Sequence, residues 1–310
     1  MRKGWAVVGI AAVGLGAAGV ALARKKAARR QQLGRGAIRE LHDLCTTVGG
    51  CRIYSRVAAA PVTPRAAPVV LLHGLGVSSA YFVPLAERLA PDFAVYAPDL
   101  PGHGKSDTPR QPLDVPALAD ALLAWMDGVG LERVSLVGHS MGCQIGVDAA
   151  VRYSQRFETL ILMGPTMDPA ARTTIQVIAR FFGSSLYERF SLGFLVLADY
   201  LRMGRRFPSE FRFMLQDPIE QKLPHVPVPV MLVRGQNDQI VPQYWLDEAA
   251  RLVGTDQIVV IPRWSHAVQY SAPEQVRAAI APFLCQGMGA DFGLADRVTG
   301  DTLPPVSTLL

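Results

Sequence analysis

Six short apolar runs, at residues 69–72, 93–97, 134–137, 160–163, 230–233 and 258–261, constrain this chain more than any other feature. Each is four or five residues long and uncharged, too short for a helix and too continuous for a strand with one face in water. Segments with helical patterning, at 79–89, 115–126, 143–153, 243–252 and 273–283, separate most of them, and several begin at Pro or Ser, as helices do. Buried strands alternating with helices belong to a parallel sheet covered on both faces. Two more strands are read within 44–57, broken by Gly49-Gly50. The expected fold is therefore α/β, with a mostly parallel twisted sheet of about eight strands and helices on both faces.

One stretch departs from the alternation. Residues 165–227 show no strand pattern and hold Phe181, Phe182, Tyr187, Phe190, Phe194, Tyr200, Phe207, Phe211 and Phe213. They read as a helical cap inserted over the carboxyl end of the sheet. Most of its aromatics are expected to pack the insertion onto the body, and some to line an apolar pocket. The last residues, 286–310, are rich in Gly, Asp, Thr and Pro without periodicity, and read as a disordered tail.

The net charge of +5 is unevenly placed. Residues 1–39 carry nine Lys or Arg and no acid, so the remaining 271 residues sum to −4. A nucleic-acid partner needs positive charge across a folded face, and no such pattern occurs. The basic flank surrounds an uncharged apolar run at 5–23, which as a helix would span roughly 28 Å, close to a bilayer core. This predicts a membrane-anchored chain: a transmembrane helix within 1–24, a basic linker at 25–43, then the folded α/β domain at 44–285. The positive-inside bias turns that domain toward the cytoplasm. The alternative is export with a cleaved signal peptide, since Ala21-Leu22-Ala23 has the form of a cleavage site. Gly14, Gly16 and Gly19, with Glu40 downstream, match the spacing of a dinucleotide fingerprint, but no strand follows to carry that acid. The four cysteines, Cys45, Cys51, Cys143 and Cys285, are too scattered for a disulfide scaffold. Cys45 and Cys51 flank the hairpin and would pair only in an exported body. The plainer reading makes them small buried hydrophobes.

The chemistry centres on Gly138-His139-Ser140-Met141-Gly142, with a strand before it and a helix after it. That context makes Ser140 the nucleophile on a sharp strand-to-helix turn. A serine hydroxyl needs a base, and the base an orienting acid, in the chain order Ser, acid, His. Downstream lie only His225 and His266. His266 follows the last strand and is assigned the base; His225, between Pro224 and Val226, is assigned a structural role. Asp238 follows the strand at 230–233 and is the acid, with Asp168 as runner-up and Asp256 at the wrong end of its strand. The oxyanion needs backbone donors. Met141 supplies one by the geometry of the turn, and Leu75, in His73-Gly74-Leu75-Gly76 after the first apolar strand, is the other. His73 reads as a residue that fixes this loop. Gly104-Lys105-Ser106 lacks the earlier glycine of a nucleotide-binding loop.

Together, His73–Gly76, Asp99–Ser106, the Ser140 motif, Gly235 with Asp238, and His266 resemble the α/β-hydrolase fold family over residues 45–285. The resemblance implies an esterase or lipase-like member and places the oxyanion role on Leu75 and Met141. Two departures stand out: Ser265 where the family often has glycine, and Cys143 where a small residue is frequent. The expected reaction is hydrolysis of a small-molecule carboxylic ester, lipophilic in its acyl part, with no metal or cofactor. Carbon–carbon bond hydrolysis, acyl transfer and cofactor-free peroxidation use the same triad. A binding protein on this scaffold is the alternative of another class.

Overall fold

The computed structural model describes residues 40–59 and 66–286. Eight strands form one sheet: β1 (His42–Val48), β2 (Cys51–Ala58), β3 (Val69–Leu72), β4 (Val95–Pro98), β5 (Val134–His139), β6 (Phe157–Met163), β7 (Val230–Gly235) and β8 (Ile258–Ile261). Their order is β1-β2-β4-β3-β5-β6-β7-β8. The β1–β2 hairpin is antiparallel and β2 pairs antiparallel to β4; every other pairing is parallel.

The central strands divide their side chains between two cores. Val70, Leu72, Leu160, Leu162, Val230 and Leu232 face one cluster, while Val69, Leu71, Ile161, Met163, Met231 and Val233 face the other. This period-two split, apolar on both sides, is why these strands read as continuous apolar runs. Helices α1 (Val83–Leu89), α2 (Val115–Gly128) and α3 (Met141–Arg152) follow the first strands. Helix α2 starts at Asp114, whose side chain accepts from the Ala117 amide, with Pro at the second helical position.

Between β6 and β7 no strand forms. The segment folds into α4 (Thr174–Ser185), α5 (Phe190–Met203), α6 (Phe207–Gln216) and the single turn α7 (Ile219–Lys222). Thr173 opens α4 with a capping box to Gln176. Helix α8 (Gln243–Val253) follows β7, and the short α9 (Val268–Ser271) and α10 (Pro273–Gln286) follow β8. Leu118, Leu122, Trp125, Trp245 and Leu246 close the first core, and Leu85, Leu89, Val276 and Ile280 the second. Helices thus cover both faces.

Three expectations need correction. No helix among the described residues is long and apolar enough to cross a membrane. The span expected at 1–24 lies outside those residues, as do the glycine fingerprint and residues 287–310 of the tail, so a single N-terminal anchor and the location drawn from it are withdrawn. Cys45 is exposed rather than buried, because it sits on edge strand β1 opposite Tyr54; Cys51 is buried, and both are free thiols. The cap aromatics do not all face inward. Phe182 on α4, Phe190 and Phe194 on α5, and Tyr187 in the turn between them are exposed.

Candidate active site

The parallel strands end along one edge, where ligands of open α/β sheets bind. The loops leaving β3, β5, β6, β7 and β8 bring Gly74–Gly76, Ser140, Gly164, Asp238 and His266 to that edge.

Ser140 joins β5 to α3 with φ 56° and ψ −122°. This backbone state is costly for a residue with a side chain, of order 1–3 kcal/mol. It is held by the Ser140 amide donating to the Met163 carbonyl at 3.0 Å and by the Cys143 amide donating to the Ser140 carbonyl at 2.9 Å. The Ser140 side chain makes no helix-capping bond, so its hydroxyl is not consumed by the helix it begins. Gly142 permits the close fit: a Cβ there would lie 2.4 Å from the Leu72 carbonyl oxygen and 2.8 Å from that of His73. Cys143 is buried beneath the turn, its thiol donating to the carbonyls of Gly138 and Met163. Burial pushes that thiol well above its ordinary pKa.

His266 Nδ1 lies 2.8 Å from Asp238 Oδ2. A carboxylate can only accept, so the ring proton sits on Nδ1 and Nε2 presents a lone pair. Nε2 is buried with no hydrogen-bond partner among the described residues. The other Asp238 oxygen accepts from the amides of Ile240, at 2.9 Å, and Val241, at 3.0 Å. Burial of the His266 ring opposes its protonation, but the Asp238 charge and hydrogen bond, with a contribution from Glu188, outweigh it and raise the pKa above the usual imidazole value. Asp168 is occupied elsewhere, by the Ala170 amide, Arg180 and the Tyr244 hydroxyl. His225 and Asp256 are exposed.

His73 holds the loop after β3: Nδ1 donates to the Gly74 carbonyl and Nε2 accepts the Leu100 amide at 2.9 Å. Leu75 lies in the turn this creates, and Met141 is the first residue of α3, where an amide has no carbonyl of its own helix to bond. Asp99 accepts the amides of Ser79 and Lys105. Lys105 reaches Asp43 and the Tyr54 ring on the hairpin, which accounts for the Gly-Lys-Ser loop. Ser265 is buried and its hydroxyl bonds the Asn237 carbonyl, tying the β8 loop to the β7 loop.

Sequence reasoning did not find Tyr81 or a task for His139. The His139 Nε2 proton is donated to the His266 carbonyl at 3.0 Å. Nδ1 therefore accepts from the Tyr81 hydroxyl at 2.7 Å, and the Tyr81 oxygen accepts the Gly74 amide at 2.9 Å. This buried, one-way chain joins the β3, β5 and β8 loops. Burial, with the neighbouring His266 ring, keeps His139 neutral. The only signal in the sequence was a histidine inside the serine motif.

Above the β3 loop stands an apolar wall. The Tyr200 ring lies over Gly76. It stacks on Phe181, with centroids 6.4 Å apart, and packs against Phe207 at 5.0 Å, which stacks on Phe211 at 5.7 Å. Asp199, beside it on α5, accepts the Ser78 hydroxyl at 2.6 Å and fastens the cap to this loop.

Residues 69–279 match the family model described as the alpha/beta hydrolase family. The chain belongs to the alpha/beta hydrolase family. It is an enzyme of that family. Among curated relatives, the protein RutD of Caulobacter sp. (strain K31) is 27% identical over 262 residues, covering 77% of this chain and 97% of the relative. The 2-(acetamidomethylene)succinate hydrolase of Mesorhizobium japonicum is 27% identical over 243 residues, 70% of this chain and 87% of the relative. Among solved structures, a membrane phospholipase A described as a bacterial virulence factor superposes with a TM-score of 0.70 at 20% identity, covering 92% of this chain and 98% of that one. At that identity the likeness concerns the fold alone.

Proposed function

We propose that this hydrolase cleaves a carboxylic ester with a lipophilic acyl part, through an acyl-enzyme on Ser140, His266 and Asp238. The reading takes 44–285 as the catalytic domain and 165–227 as its cap. One observation carries it: a strained serine on a strand-to-helix turn shares the carboxyl edge with a histidine whose Nδ1 is engaged by a buried carboxylate and whose Nε2 is unpartnered.

The Ser140 Oγ proton passes to His266 Nε2 as Oγ attacks the ester carbonyl carbon. Asp238 stabilises the imidazolium through Nδ1. The amides of Leu75 and Met141 hold the oxyanion, a contribution that in other hydrolases amounts to about 3–4 kcal/mol per donor. Collapse breaks the bond to the leaving oxygen, which takes the proton from Nε2 and departs as the alcohol. Water then attacks the acyl-enzyme, losing its proton to Nε2. The proton returns to Oγ as the acid leaves.

The lipophilic acyl preference rests on the wall of Tyr200, Phe181, Phe207 and Phe211 beside the Leu75 loop. A panel of p-nitrophenyl esters of increasing chain length, with lactones and vinylogous diketones alongside, tests it. The expected outcome is kcat/KM rising from acetyl to medium-chain esters. Strong preference for acetyl esters would remove the lipophilic assignment, and turnover confined to the diketones would replace ester cleavage with carbon–carbon bond hydrolysis.

A further inference from the structure

The loop carrying His266 is gripped from two sides, and one grip comes from the cap. The peptide unit between His266 and Ala267 has its carbonyl fixed by His139 Nε2 at 3.0 Å and its amide donating to Glu188 Oε1 at 2.7 Å. Glu188 lies between α4 and α5. Its second oxygen accepts the Ser271 hydroxyl at 2.6 Å. The neighbouring Arg189 donates Nε to the Ser271 carbonyl at 3.0 Å, and its guanidinium lies 5.1 Å from the Trp264 ring centroid. Tyr270 and Ser191 join their hydroxyls across the same seam. Five cap-borne contacts therefore converge on residues 264–271.

We infer that Glu188 is a positioning residue, holding the His266–Ala267 peptide plane from the cap and so making the orientation of the proposed base depend on a seated cap. Pinning both ends of this peptide unit fixes the backbone on the carbonyl side, and with it the direction in which the His266 side chain leaves it. With only the His139 bond in place, the plane keeps a rotation about that contact. Removing Glu188 also leaves the Ala267 amide and the Ser271 hydroxyl without their acceptor, and bonds to a charged acceptor are the stronger kind. The inference rests on the triad reading above.

The charged and titratable groups around Glu188 are His266 and Asp238 on the sheet side, His139 behind the His266 carbonyl, and Arg189 beside it. Burial raises the Glu188 pKa, opposed by Ser271, the Ala267 amide and His266. Its charge in turn favours the imidazolium of His266.

Glu188→Gln keeps an acceptor for Ala267 but loses the charge; Glu188→Ala loses both. Each is compared with wild type for kcat and KM across pH, for the rate of Ser140 labelling by a fluorophosphonate, and for Tm. The expected result is a fall in kcat/KM of about tenfold for Gln and about a hundredfold for Ala, carried by kcat. In both variants the acid limb of kcat/KM moves to lower pH, and labelling slows in parallel. Glu188→Ala within twofold of wild type, or a loss in both variants that follows Tm with the acid limb unmoved, would overturn the positioning role. Ser140→Ala retaining activity would instead overturn the triad reading, and the inference with it.

Discussion

At the scale of single residues the site is a set of close approaches that tolerate little. Gly74 lies against the proposed nucleophile: a Cβ added there would sit 2.9 Å from Ser140 Cβ and 3.4 Å from Oγ. Gly74→Ala is expected to lower kcat about a hundredfold while the protein stays folded, because displacements near 1 Å at a reacting group cost that much. Far-ultraviolet circular dichroism with steady-state kinetics checks both halves. His266 makes a pH prediction of definite sign. As the proposed base it must be neutral to take the Ser140 proton, and its raised pKa predicts that activity is lost as pH falls through a value above the ordinary 6.5. The acid limb of kcat/KM should therefore have its midpoint above 6.5, and a midpoint at or below it would contradict the Asp238 pairing.

At the scale of elements, the cap behaves differently on its two sides. Phe190 and Phe194 project outward from α5, 84% and 63% exposed, and touch each other edge to face at 5.0 Å. Replacing both with Ser should change Tm little, whereas Trp245→Ala, which empties a buried site on α8 and frees the Pro165 carbonyl, should cost about 3–5 kcal/mol by denaturant unfolding. The inner side carries a buried carboxyl. Glu210 on α6 lies 3.4 Å from His103 in the loop after β4, and burial, opposed by Arg206, pushes its pKa up to about 7. The folded state then holds a proton that the unfolded chain releases near the ordinary value of 4.5, so this group's contribution is full below 4.5 and lost as pH rises through about 7. Stability should decline between those values by up to about 3 kcal/mol, and Glu210→Gln should flatten the decline. Much of the element layout was legible in the sequence. The runs at 69–72 and 258–261 coincide with β3 and β8, and the strand–serine motif–helix unit is local enough to read directly. The outward aromatics were not legible, because an apolar stripe at helical spacing looks the same whether a core or nothing covers it. Nor were the contacts of Tyr81, His139 and Glu188: Tyr81 bonds His139 across 58 residues, and Ala267 bonds Glu188 across 79, a pairing only the sheet order brings about.

Across the whole molecule, five loops drawn from β3 to β8 converge on one edge and bring together the amides of Gly74–Gly76, Ser140, Gly164 packed against the imidazole, Asp238 and His266. No single segment contains the site, so its assembly reports the whole sheet, and the buried chain from Gly74 through Tyr81 and His139 to His266 couples three of the loops. The central claim is that this assembly activates Ser140. A fluorophosphonate probe reads that most directly, because it reacts with an activated serine without any knowledge of the natural substrate. Folded wild type should be labelled at a single site, Ser140, with labelling lost in Ser140→Ala and slowed at least about a hundredfold in His266→Ala. A folded wild type that resists the probe, or a Ser140→Ala variant labelled as well as wild type, would contradict it.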